Sequence, residues 1–174
     1  MADDLRAVYR DRWVRFHSLP ESKRYPETDA EYAIALDRYN TVLDELFAGQ
    51  EVHVVTADWS NTESLPPRSP DHAGRHPGSR HWVSFYSDPD PDPEFQRYTH
   101  LYASRIPWRR GCVDELLRSV ADDVAGGVFI TDLALRRIHH PYDGGADVIL
   151  TTTAERDELK ARHTSWLSKH PLGL

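Results

Sequence analysis

The chain has 174 residues, with Lys plus Arg 21 against Asp plus Glu 28, a formal net charge of −7 and a pI near 5.8. That length argues for a single domain over 1–174, and 39% hydrophobic with 28% charged content is that of a chain with a real core. One cysteine excludes an internal disulfide or a multi-cysteine zinc site, no apolar run reaches the roughly 18 residues of a membrane span, and the charged start MADDLRAVYRDRW has no secretory apolar core, so the chain reads as cytoplasmic.

A first helix is predicted over residues 3–16, where Leu5, Val8, Tyr9, Trp13 and Phe16 recur by threes and fours. A second opens on the capping-box pair Thr28 and Glu31 and closes at Gly49, with Tyr32, Leu36, Tyr39, Leu43 and Leu46 as its apolar seam. A buried strand follows over 51–57. Residues 60–79 (SNTESLPPRSPDHAGRHPGS, from Ser60) are polar, rich in Pro and Gly and without periodicity, and are expected to form a long loop.

The next strand, 80–86, alternates Trp82, Ser84 and Tyr86 against Val83 and Phe85. A third strand is expected over 97–106, a third helix over 112–123, and a strand over 128–131 after Gly126 and Gly127. Segments 137–142 and 146–151 flank Asp143, Gly144 and Gly145, the chemistry of a hairpin turn with positive φ. Thr152 and Glu155 cap a last helix. The order implies an α+β fold, a mostly antiparallel sheet of five or six strands covered by N-terminal, central and C-terminal helices.

Few motifs carry chemistry. The phosphate-binding GxxxxGK[ST] and the GxGxxG and GxSxG patterns are absent, and no cofactor is predicted. Cys112 and Arg118 match Cys-x5-Arg, but Asp114 and Glu115 between them would repel a phosphate. Arg105, Arg109 and Arg110, with Trp108 beside a helix start, are the candidate anion-binding group. His139, His140 and Asp143 are the candidate catalytic group at the hairpin. Adjacent histidines on a strand face opposite ways, and His72 with His76 lies in the Pro/Gly loop, so no metal site is predicted. Net acidity argues against coating nucleic acid and suits a basic partner, for which Trp82, Tyr86, Asp88, Asp90 and Asp92 are the candidate surface.

Two blocks, RWVRFHSLPESKRYPETDAEY with YNTVLDELF and IHHPYDGGADVIL with WLSKHP, resemble a bacterial domain family of unknown function. The resemblance covers residues 12–50 and 127–174 and implies no reaction and no catalytic residue. It associates the chain with small acidic immunity proteins that neutralise toxins. The sequence therefore reads as a non-enzymatic protein-binding domain, with an enzyme or nucleotide-binding module at Arg109, Arg110, His139, His140 and Asp143 as the alternative.

Overall fold

The structure, a computed structural model, describes residues 2–88, 92 and 96–168. In chain order its elements are α1 (Ala2–Val8), β1 (Trp13–His17), α2 (Asp29–Phe47), β2 (Glu51–Ser60), α3 (Pro70–Arg75), β3 (Arg80–Asp88), β4 (Arg97–Pro107), α4 (Asp114–Ala121), β5 (Val128–Asp132), β6 (Ile138–Tyr142), β7 (Gly145–Ile149) and α5 (Thr153–Arg162). Both capping pairs form. Thr28 Oγ1 accepts from Glu31 N at 3.3 Å, and Thr152 Oγ1 accepts from Glu155 N at 3.1 Å, satisfying amides that a first helical turn leaves unpaired. Gly49, with φ +75°, lies just past the end of α2 in the left-handed conformation that closes many helices.

The seven strands form one sheet in the order β1-β7-β6-β5-β2-β4-β3, with every neighbouring pair antiparallel. The fold class is α+β as expected, but the strand number exceeds five or six. The extra strand is β1, inside the predicted first helix. Trp13 and Phe16 fit helical spacing, yet Val14 and Phe16 are buried while Trp13, Arg15 and His17 are half-buried, a period of two. Pairing with β7 and an Arg15–Asp147 ion pair decide in favour of the strand.

The other differences are local. Residues 60–79 are not all loop, because Pro70, at a position where a missing N–H costs nothing, starts the short helix α3. The hairpin turn is Asp143–Gly144, between the paired Tyr142 and Gly145, and neither turn residue has the positive φ expected of it. Gly145 is needed for another reason. A Cβ there would collide with the Phe16 carbonyl oxygen on β1.

The strand alternation divides the sheet into two faces. On one, Val14, Phe16, Val52, Val54, Val128, Ile130, Ala146 and Val148 meet Leu43 and Phe47 of α2, Leu116 and Leu117 of α4 and Leu159 of α5. Each such fully buried side chain contributes about 1.5–3 kcal/mol. The helices cover that face mainly over β1, β7, β6, β5 and β2. Its remainder, on β2, β4 and β3, is polar and lies beneath residues 61–79.

Candidate functional site

The opposite face of the sheet carries His53, Val55, Ala57 and Trp59 of β2, and the register aligns them with Arg105, Ala103, Leu101 and Thr99 of β4. Phe129 and Thr131 of β5 and Ile138 of β6 continue it. Tyr9, just after α1, reaches the β6 side, and Arg6 of α1 lies over Trp13 of β1, so α1 covers the β1 end of this face, where Asp147, Ile149 and His140 are buried. Two half-open cavities occupy this face. One of 410 Å³ is lined by His53, Arg80, His81, Trp82, Ala103, Leu133 and Leu135. The other, 270 Å³, is lined by Tyr9, Val55, Phe85, Leu101, Phe129, Thr131 and Ile138, and shares Trp82 and Leu135 with the first.

A bulge puts Trp82 on the same face as Val83 and Phe85. The register passes from His81–Tyr102 directly to Val83–Leu101, so Trp82 is the unpaired extra residue. A bulge re-aims a side chain. Strict alternation would group Trp82 with Ser84 and Tyr86. Instead Trp82 joins Val83 and Phe85 on the open face, and Tyr86 stays on the other, its ring 5.0 Å from that of Tyr98. The two aromatic partner-surface candidates are therefore on opposite faces. Of the acidic ones, Asp88 ends β3 opposite Arg97, Asp92 is exposed, and Asp90 lies outside the described residues.

The polar layer beneath 61–79 is the cluster that the sequence did not reveal. Asp58, only 6% exposed, accepts from His72 Nδ1 at 2.7 Å and from Ser69 N at 3.1 Å. Arg68 lies 3.7 Å from the same carboxylate, stacks 4.4 Å over Tyr102 and donates to Thr56 Oγ1 at 2.7 Å. His76 bridges Thr56 and Ser104 at 3.1 and 2.7 Å, and burial, with the Arg68 charge, lowers its pKa to about 4.

Donor accounting fixes a second chain of bonds. Ser60 Oγ donates to Thr62 O at 2.7 Å, so it accepts from His100 Nε2 at 2.8 Å. His100 Nδ1 then accepts from the Ser84 hydroxyl at 2.7 Å, and Ser84 accepts from His81 Nε2 at 2.8 Å. Burial lowers the pKa of His100 and keeps it in this neutral form. The layer pins α3 and its flanks to the sheet. His72 and His76, one helical turn apart on α3, hold two different partners, Asp58 and Thr56. Among the described residues no three His, Cys, Asp or Glu side chains converge to hold a metal ion.

The remaining candidates are placed apart. His139 faces the helices, fully buried and edge-on to Tyr39 at 5.9 Å, with burial taking its pKa to about 3. His140 faces the other way, its ring tilted at 36° and 4.4 Å from that of Phe129, and burial takes it to about 4 despite the nearby Asp147 carboxylate. Asp143 is at the turn, paired with Arg24 at 2.5 Å. The structure does not bring the three together. Arg105 pairs with Glu51 on the open face, whereas Arg110 spans Asp37 and Asp44 of α2 at 2.6 and 2.8 Å, and Arg109 is exposed between them in sequence. Arg105 and Arg110 thus do not share a site.

What the fold and this site define is an antiparallel α+β domain whose sheet is closed by helices on one face and, over β2, β4 and β3, open and aromatic on the other. The chain belongs to the family described as Domain of unknown function (DUF3885), whose family model matches residues 1–171. No curated protein and no solved structure matches it. No helix among the described residues is long and apolar enough to cross a membrane.

Proposed function

We propose that this chain is a non-catalytic binding domain that docks a protein partner on the open face of its sheet. One observation carries the reading. Trp59, Trp82, Val83, Phe85, Leu133 and Leu135 converge on the helix-free part of a single face, each between 40% and 53% exposed. Contiguous apolar surface of this kind marks interaction sites, and Trp is enriched among the residues that dominate binding energy. Open edge pairing along β3 is a poorer mode, because its bulges at Trp82 and between Tyr86 and Asp88 interrupt the backbone ladder.

The net charge of −7 and the acids at Asp88, Asp90 and Asp92 favour a basic partner. An immunity protein covering the active surface of a toxin is the form of this reading that the family resemblance supports. The alternative anion site at Arg105, Arg109 and Arg110 has less behind it, since Arg110 already satisfies two carboxylates.

The test is a nuclease-treated pull-down from the lysate of the encoding organism, run beside Trp82→Ala/Phe85→Ala. A stoichiometric protein held by the native chain and lost from the double variant supports the reading. Retention by the variant overturns it.

A further inference from the structure

We propose that the paired cavities around Trp82 form a binding site for an aliphatic carboxylic acid, with its carboxylate at Arg80 and His53 and its chain running toward Phe129 and Ile138. The proposal rests on the open face being a binding face, and not on the partner there being a protein.

Two separate backbone irregularities direct large apolar side chains into this one volume. The bulge in β3 sets Val83 and Phe85 on the same open face as Arg80 and Trp82. In the β5–β6 turn Leu135, which is not a glycine, takes a left-handed φ of +55°. That turn is stapled from both sides: Asp132 Oδ1 accepts from Arg136 N at 2.7 Å and Arg137 N at 2.8 Å, and Thr131 Oγ1 donates to Arg137 O at 2.7 Å. A surrounding structure that over-determines an unfavourable conformation is the pattern of a functional site. Here the result is a wall of Leu133 and Leu135 facing Trp82 across the cavity.

The polarity of the lining changes from one end to the other. The 410 Å³ end holds Arg80, His53 and His81 and no acidic residue. Among the described residues the side chains of Arg80 and His53 make no hydrogen bond or ion pair, whereas nearby Arg105 is paired with Glu51. At the 270 Å³ end the polar groups of the lining side chains are the hydroxyls of Tyr9 and Thr131 and the indole N–H of Trp82. Trp82 and Leu135 line both, so the two volumes adjoin, the first cationic and the second apolar, and in this proposal an extended ligand runs past Trp82 from one to the other. A sugar or nucleotide would leave polar groups unpaired in the apolar end, and an amine would face Arg80. An extended acid satisfies both ends.

The experiment follows the indole N–H resonance of Trp82 in 15N-labelled protein, assigned by its absence in Trp82→Phe. Octanoate, octan-1-ol and octylammonium are titrated separately at neutral pH. Octanoate is expected to bind about tenfold more tightly than octanol, the scale of one partly exposed charged hydrogen bond, and octylammonium most weakly. Dodecanoate gains about twofold per added methylene, half the roughly fourfold of full burial, because the cavities are half-open.

Arg80→Gln removes the preference for acid over alcohol and leaves octanol binding unchanged. Trp82→Ala weakens all three at least tenfold with an unaltered circular dichroism spectrum. Equal affinities for acid, alcohol and ammonium overturn the proposal, as do shifts confined to other tryptophans. Binding of a tetrapeptide ending in a free leucine carboxylate, with none of octanoate, reassigns the cavities to a chain terminus and likewise overturns it. No protein partner enters this titration, so its failure and that of the pull-down are separate results.

Discussion

Acidification from pH 7 to pH 5 should cost this fold about 4 kcal/mol through His139 and His140 alone. Both side chains are buried, at 0% and 6% exposure, and burial holds them at about 3 and about 4. In the unfolded chain each titrates near 6.5. Between pH 6.5 and pH 5 the unfolded chain therefore takes up a proton at each position and the folded chain does not. Their stabilities are complete above pH 6.5 and are lost as pH falls toward the folded values. At about 1.4 kcal/mol per unit over about 1.5 units, each histidine contributes about 2 kcal/mol of this loss. The figure at pH 5 is insensitive to the folded values provided they lie below 5. His76, also held at about 4, acts in the same direction.

A loss of that size is a large part of the roughly 5–15 kcal/mol that stabilises an ordinary domain. Urea unfolding at the two pH values, followed by tryptophan fluorescence and by circular dichroism with an unchanged m-value, measures it directly. His139→Leu should remove about half of the pH-dependent difference, about 2 kcal/mol, since one titrating group is gone. A native chain whose stability changes by less than about 1 kcal/mol over this interval would refute the reasoning. So would a His139→Leu variant with the full native pH dependence.

Two further outcomes concern the β1 edge, the part of the sheet hardest to read from sequence. Gly145→Ala places a Cβ against the Phe16 carbonyl, so amides of β1 should lose hydrogen-exchange protection while those of β2 and β4 keep theirs; unchanged β1 protection would contradict the close approach. Asp147→Ala removes a fully buried carboxylate that holds Arg15 through bonds of 2.7 and 2.9 Å. Losing this pair should cost about 3 kcal/mol, the lower end of the range for breaking a buried pair, because Arg15 keeps some exposure and its stacking on Trp13 and Tyr142. A urea midpoint within error of the native one would show the pair to be incidental.

The legible parts of this sequence were those where one local signal stands without a competitor. Thr28 with Glu31, Thr152 with Glu155, and Gly49 mark helix ends by hydrogen-bonding chemistry that acts within one turn, and all three are used as expected. Residues 13–17 have two signals, because Trp13 and Phe16 satisfy both a helical and a strand period. Only the partner strand β7, whose Asp147 is 132 positions from Arg15, breaks the tie. The same applies to the hairpin glycines. Their identity suggests a backbone dihedral, but the constraint at Gly145 is the neighbouring strand β1.

The site was less legible for a related reason. Alternation assigns faces correctly until a strand contains an extra residue, and nothing in Arg80–Asp88 announces that Trp82 is extra. One unpaired residue exchanges the faces of the residues that follow it, joins Val83 and Phe85 to the indole and separates it from Tyr86. Leu133 and Leu135 likewise read as ordinary turn-flanking residues until the left-handed φ at Leu135 puts both over the open face. For the buried layer, His72 and His76 were set aside because a Pro/Gly segment was read as coil. Ser69–Pro70 was the available signal for a helix start.

The two halves of the sheet answer different requirements. Over β1, β7, β6 and β5 the helices supply apolar cover, and burial there is enough to hold His139 neutral. Over β2, β4 and β3 the cover is a short polar segment, held by Asp58, Arg68, His76 and His100 through hydrogen bonds that need their exact partners. Such a layer fixes position more than it adds stability. Its place behind β2, β4 and β3 is what the open face requires, since the strands carrying Trp59, Trp82 and Phe85 must keep register without a helix in front of them. Loosening the layer, as by Asp58→Asn, should therefore weaken binding at the open face before it lowers global stability.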